Sequence, residues 1–317
     1  KNNMKPQTEK KYEILEDQIT TDLNGNKLFR IISLKDFGEV KKGELGGFIK
    51  SEDNLSHRGK CWVGGDARVS DDATVEGNSI VNENAIVYGN AQIIEYARVS
   101  GLASIYGNAQ VGGLSKVYER AKIFGNAKIG GNAEISDYAE IYGKASIDCD
   151  AKIYHKAEVY GNVFIRGKAE VFNYAEVYGS VFIDGNVKIS GHANVFGHAV
   201  VGDEAEISGH VYISNGNIEG KVKISKDVEI KSNIFMNGKA IIKTREDFML
   251  FDCIGSKDGT LTAFRTKKGI RVTRGCFSGS LKKFKKAVKE YHADNSKVLD
   301  EYKTIIKLIE KRLGGEK

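Results

Sequence analysis

The sequence predicts a mainly β chain whose middle winds into a solenoid, and three observations carry that prediction. From Ala67 to Val211 a small residue keeps one register of six: Ala67, Ala73, Ala85, Ala91, Ala97, Ala103, Ala109, Ala121, Ala127, Ala133, Ala139, Ala145, Ala151, Ala157, Ala169, Ala175, Ala193, Ala199 and Ala205, with Ser79, Ser115, Val163, Val181, Val187 and Val211 in the other slots. Two residues after each comes a β-branched aliphatic, from Val69 and Val75 through Ile105 and Val111 to Ile207 and Ile213. Glycine and asparagine pairs such as Gly89-Asn90, Gly107-Asn108, Gly125-Asn126 and Gly161-Asn162 fill much of the rest.

Small, variable, aliphatic over three residues is the period-two mark of a short, half-buried strand. Gly and Asn accept the positive φ of a sharp corner. Strand and corner repeated without a break leave every inner residue uncovered until the next coil stacks on it, so the chain has to wind. Abundant glycine (36) and a single proline fit a ladder that uses each strand N–H.

The pattern Ile/Val-x-x-x-Ala/Ser/Val-x resembles the hexapeptide repeat of left-handed parallel β-helices. That resemblance implies three hexads per triangular coil, and a handedness that departs from the usual right-handed crossover. On that count the stretch from Ala67 to Val211 makes eight coils, a rod of about 40 Å at the usual strand spacing.

Three segments follow: an N-terminal tail and β cap over 1–66, the repeat over 67–243, and a basic α+β segment over 244–317. In the first, Tyr12-Glu13-Ile14-Leu15 and Leu28-Phe29-Arg30-Ile31-Ile32 read as two strands around the turn-rich Asn24-Gly25-Asn26. A solenoid needs such an element, because a bare first coil offers an open sheet edge. The runs Gly46-Gly47-Phe48-Ile49, Asn54-Leu55-Ser56 and Gly59-Lys60-Cys61-Trp62-Val63 resemble the entry sequence of hexapeptide-repeat proteins encoded by phages and prophages, usually described only as transferases or polymer-forming proteins.

The outward columns carry the remaining information in the repeat. Stepping by one coil aligns Tyr88, Tyr106, Phe124, Tyr142, Tyr160, Tyr178 and Phe196 on one face. Such a ladder can hold the coils together, form an oligomer interface, or dock a planar ligand or a partner. A second face carries Arg98, Lys116, Glu134, Lys152, Glu170, Lys188 and Glu206, a solvated charge ladder. A third sets Phe164, Phe182 and Val200 beside Asp148, Arg166 and Asp184. The register then slips: slot 217 is Asn217, and the pattern resumes one residue early at Val222, Val228, Ile234 and Ala240, which predicts an altered corner near 215–217.

From Thr244 the composition changes. Phe248 to Ile254, Leu261 to Thr266 and Ile270 to Phe277 read as three strands; Ser280 is a helix N-cap, and a second helix follows His292 to Asn295. The runs Ile254-Gly255-Ser256, Phe264-Arg265-Thr266-Lys267 and Gly275-Cys276-Phe277-Ser278-Gly279 resemble a C-terminal module that accompanies hexapeptide repeats in phage-borne genes. Residues 244–317 hold 18 Lys and Arg against 10 Asp and Glu, or +8, which leaves −2 for the rest of a chain of net +6. Arg265, Lys267, Lys268, Arg271 and Arg274 lie on the strands, and Lys282, Lys283, Lys285, Lys286 and Lys289 crowd the first helix. This basic patch is either a solvated lysine surface or a contact for nucleic acid or an acidic partner.

Enzyme chemistry enters only through the family. Many hexapeptide-repeat proteins are acyl-CoA transferases whose catalytic His sits with a loop that breaks the hexads, and no loop interrupts 67–211 here. The weak catalytic candidates are His192, His198 and His210, with His155 a further corner imidazole; His198 lies at a different corner from the other pair, a poor zinc set. No metal or cofactor is expected. The four cysteines lack paired spacing, so reduced thiols are expected. Lys1 to Lys11 are polar, and no apolar run is long enough for a membrane helix. The expectation is a non-enzymatic scaffold of phage or prophage origin in the cytoplasm of an infected or lysogenic bacterium. It would be a dimer or trimer that binds a host protein or nucleoprotein and blunts a defence. The alternatives are an acyl-CoA-dependent acyltransferase and a sponge for small nucleotides.

Overall fold

The computed structural model describes residues 9–314; the start of the predicted polar N-terminal tail lies outside them. The chain divides into two compact units, Lys1–Gly167 and Lys168–Lys317.

In the first unit β1 (Tyr12–Thr21) and β2 (Lys27–Ser33) form an antiparallel hairpin, longer than the sequence pattern suggests and irregular between Leu15 and Ile19. Asp22 closes its turn, one carboxylate oxygen accepting the N–H groups of Asn24 and Asn26 at 2.8 Å each. A third strand, β3 (Leu45–Ile49), was hidden in the sequence by Gly46-Gly47. It runs antiparallel to β2 on one side and parallel to Arg68–Val69 on the other, so it converts a hairpin into the first coil. Its glycines are there for space. A Cβ on Gly46 would stand 2.6 Å from the side chains of Ile31 and Trp62, and one on Gly47 2.5 Å from the carbonyl oxygen of Ala67.

The coils follow as short strands, two residues long except for Glu158–Gly161, paired in parallel with the coil before and after. One ladder runs Arg68, Ile86, Ser104, Lys122, Glu140, Glu158; another runs Trp62, Ile80, Arg98, Lys116, Glu134, Lys152. Both inner columns of the sequence are buried throughout, Ala67 to Ala157 and Val69 to Ile165. Alanine is the size that fits a corner of this interior, while the branched aliphatics fill its middle and gain about 2 kcal/mol each on burial.

The corners hold more than glycine and asparagine. Asp71, Glu83, Glu95, Glu119, Asp137, Cys149 and His155 also adopt positive φ there. The carboxylates offset that strain by accepting a backbone N–H one coil further on: Glu83 from Gly101 (2.7 Å), Glu119 from Asp137 (2.7 Å) and Asp137 from His155 (2.8 Å).

In the second unit a parallel ladder runs Glu170, Lys188, Glu206, Lys223 and Ile241, and the inner columns are buried. The expected slip lies between Val195 and His198 on one coil and Ile213 and Asn215 on the next: Val195 pairs with Ile213, but His198 pairs with Asn215. The register is regained by Gly216 and Ile218, earlier than Val222. The altered corner takes the form of continuous strands, β4 (Asn194–Asp203) and β5 (His210–Ile218), that run through a bend made elsewhere by a tight turn.

The C-terminal segment is a four-stranded antiparallel sheet, β6 (Phe248–Ile254), β7 (Gly259–Thr266), β8 (Gly269–Arg274) and β9 (Phe277–Ser280), followed by α1 (Leu281–Tyr291) and α2 (Ser296–Leu313). The sequence pattern merged β8 and β9; the turn at Gly275, φ +52°, separates them. Ser280 caps α1 by accepting the N–H of Lys283, and Asn295 caps α2 by accepting that of Val298. The apolar faces of both helices meet the sheet through Leu281, Phe284, Val288, Tyr302, Ile305 and Ile309. The sheet is tied to the last coil: Thr273 donates to the carbonyl of Phe235 (2.5 Å), and Arg271 donates to Asn237 (2.8 Å).

Candidate functional site

The aromatic column forms where its spacing predicts. In the first unit Tyr88, Tyr106, Phe124, Tyr142 and Tyr160 stack with centroids 4.7 to 4.9 Å apart and planes within 9°. In the second, Tyr178 and Phe196 stack at 4.9 Å and 6°. The rings are half-buried, and the spacing is that of the coils themselves, so every ring covers its neighbour's face. Burial raises the phenols of Tyr88, Tyr106 and Tyr178, and that of Tyr142 is pushed up to about 12 by burial, then by the charge of Glu158 and the neighbouring Tyr160 and Glu140.

The charge ladder also forms. Glu134 lies between Lys116 (3.1 Å) and Lys152 (2.9 Å), and hydrogen bonds from both, Lys152 foremost, hold its carboxyl below the usual range. Lys188 meets Glu170 at 3.3 Å, and Lys223 meets Glu206 at 2.6 Å.

Of the imidazoles, His192 and His210 stack on each other at 5.0 Å and 3°, and Tyr174 stacks on His192 at 4.8 Å. His198 sits at a separate corner, where its backbone N–H donates to Asn215. An orienting carboxylate, which the sequence did not reveal, does stand beside His210: Asp227 Oδ1 is 3.3 Å from Nδ1, brought there by the pairing of their strands. Both side chains are largely exposed, at 64% and 87%. Among the described residues no group of three or more His, Cys, Asp or Glu side chains could hold a metal ion.

The basic patch is divided by the fold. Arg271 is committed to Asn237 and Ser278. Arg265 pairs with Asp247 at 3.4 Å and donates to the carbonyl of Arg312, Lys285 pairs with Glu310, and Lys286 lies 3.5 Å from Glu290. Lys267 and Lys268 sit at the β7–β8 turn, and Lys282, Lys283 and Lys289 on the outer face of α1. Arg274 stands apart. It lines an open pocket of about 490 Å³ whose wall also includes Lys257, Phe277, Phe284, Tyr291 and Tyr302. Its Nη2 donates to the carbonyl of Ile254 at 2.8 Å, and its Nε is buried without a partner. This pocket draws on β8, β9, both helices and the β6–β7 connection, so no local motif announces it.

A second polar cluster was equally hidden. Lys11, 1% exposed, donates from Nζ to the carbonyl of Cys61 (2.8 Å) and approaches its sulfur at 3.3 Å, while Tyr12 stacks on His57 at 4.3 Å. Burial lowers the Lys11 amine and raises the Cys61 thiol, so both tend toward neutrality. Cys149, Cys253 and Cys276 are exposed. No helix among the described residues is long and apolar enough to cross a membrane. No protein-family model and no curated protein sequence matches the chain.

Proposed function

We propose that this chain is a non-enzymatic scaffold and binding protein of phage or prophage origin, in which a left-handed hexapeptide-type coil, closed at its start by an N-terminal β cap, displays a basic C-terminal α+β domain to a bacterial host protein or nucleoprotein. One observation carries the reading: among the described residues Arg274, Lys257, Lys282, Lys283 and Lys289 of the C-terminal segment have no carboxylate partner, while ring stacks and ion-pair ladders engage many of the outward side chains of the coils. Cations without counter-charges raise the local potential and steer an acidic partner toward that surface. The phage origin and a role against a host defence rest on the entry and C-terminal sequence runs, and the left hand on the hexad pattern. The place of action is the cytoplasm of the host. Half-buried rings with one edge to solvent suit assembly as a dimer or trimer.

Mass photometry of the full chain, followed by capture from a bacterial lysate, tests this reading. We expect a mass two or three times that of the chain, and a captured species lost when Lys282, Lys283 and Lys289 are changed together to Glu. A monomer whose captures are indifferent to those changes overturns it.

A second reading, acyl transfer from an acyl-CoA, is favoured by the His210–Asp227 pair, since a carboxylate on Nδ1 leaves Nε2 as a base. Calorimetry that finds acyl-CoA binding, with acyl transfer lost in His210→Ala, would establish it instead.

A further inference from the structure

We propose that the pocket beside Arg274 binds an acidic peptide segment carrying an aromatic side chain, presented by the protein partner; the inference rests on the binding reading and names the chemistry of its contact. The apolar part of the site is built by Phe277, Phe284, Val288 and Tyr302, with Phe284 edge-on to Tyr302 at 5.7 Å and tilted on Phe277 at 5.2 Å. A volume of about 490 Å³ takes a large side chain with its flanking backbone. Tyr291 stands at the rim 85% exposed, an aromatic surface that the fold itself leaves uncovered.

Charge selects what enters. Arg274 and Lys257 line the pocket, and no Asp or Glu does. Arg274 uses one nitrogen on the carbonyl of Ile254, keeps Nε without a partner, and has no ion pair among the described residues. A half-buried guanidinium without a counter-charge is costly, and its planar fork fits a carboxylate. An apolar hollow whose wall holds two cations and no acid suits an aromatic side chain flanked by carboxylates.

The test titrates the full chain into a fluorescein-labelled peptide, Glu-Asp-Trp-Glu-Asp, and follows anisotropy at low salt. Controls are a peptide with Ala in place of Trp, and AMP as competitor. Saturable binding is expected for the Trp peptide and none for the Ala peptide. Arg274→Gln, which keeps an amide to donate to Ile254, should weaken binding at least tenfold. Lys257→Glu and Tyr291→Ala, both at exposed positions that do not threaten the fold, should each weaken it several-fold. The proposal is overturned by absence of saturable binding to the folded chain, by equal binding of the Ala peptide, which would mean a lysine surface alone, or by AMP displacing the peptide at lower concentration than the peptide itself requires. Lysate capture that persists in Arg274→Gln while no peptide binds removes the pocket and leaves the scaffold reading standing.

Discussion

The phenol of Tyr12 donates to the carbonyl oxygen of Leu55 across 2.7 Å, joining the first strand of the chain to the residue that bridges to Val75 in the first coil. Tyr12 is fully buried, and burial together with the charge of Glu52 raises its phenol far above the ordinary tyrosine range, so it stays a donor at any working pH. Tyr12→Phe keeps the ring against His57 and orphans the carbonyl. We expect a loss of about 1–2 kcal/mol in urea unfolding, the cost of an unsatisfied buried acceptor.

The ring column makes a second prediction. Tyr142 stacks on Phe124 at 4.7 Å and on Tyr160 at 4.7 Å, and each such pair contributes about 0.5–1.5 kcal/mol. Tyr142→Ser with Tyr160→Ser should therefore lower the thermal midpoint by several degrees. If the midpoint holds and the mass in solution falls instead, the column is an interface between copies.

Alkaline titration isolates the same residue. An unfolded phenol ionises near 10.0, whereas Tyr142 in the fold ionises at about 12. Between those values the folded chain holds a proton that the unfolded chain has lost, so stability is full below the lower value and is lost as pH rises toward the upper one. Tyr142→Phe should flatten that alkaline decline, read as urea midpoints at neutral pH and at about pH 11.

Acid titration probes the charge ladder with the opposite sign. Glu134 is held below its ordinary value of 4.5 by Lys152 and Lys116. Its contribution is present above that value and disappears as pH falls through the lower folded one. Glu134→Gln should cost about 0.5–1 kcal/mol at neutral pH, and the difference from the parent should vanish in acid and shrink in high salt.

A crowded corner gives the sharpest mutational contrast. Gly113 has φ +66°, and a Cβ there would stand 2.5 Å from the carbonyl oxygen of Gly131, whereas Gly25 has φ +82° and open space. Gly113→Ala should cost more than about 2 kcal/mol, and Gly25→Ala about 1 kcal/mol, in the same thermal assay.

What the sequence made legible was whatever repeats. Ala67 to Ile213 state their burial through periodicity, and Tyr88 and Tyr106 state their stacking through the same interval. The third N-terminal strand was not legible, because Gly46-Gly47 carries no strand pattern, its purpose being to let Ile31 and the carbonyl of Ala67 come close. Asp227 beside His210 was missed because one residue dropped after Ile213 shortens the interval between them to 17. The Arg274 pocket escaped for another reason: Ser256 and Tyr302 meet only after sheet and helices have packed, and charge counting treats Arg274 and Lys285 alike although only Lys285 has a carboxylate.

The corner carboxylates impose a direction on assembly. Glu119 accepts the backbone N–H of Asp137, and Asp137 that of His155, so in this stretch each turn of chain is completed by the one that leaves the ribosome after it. A nascent chain stalled between them would end in a bent, left-handed backbone with an acid group and nothing to receive. Truncation from the C-terminal side should thus fray the last remaining turn, while added turns of the same pattern should be accepted without redesign.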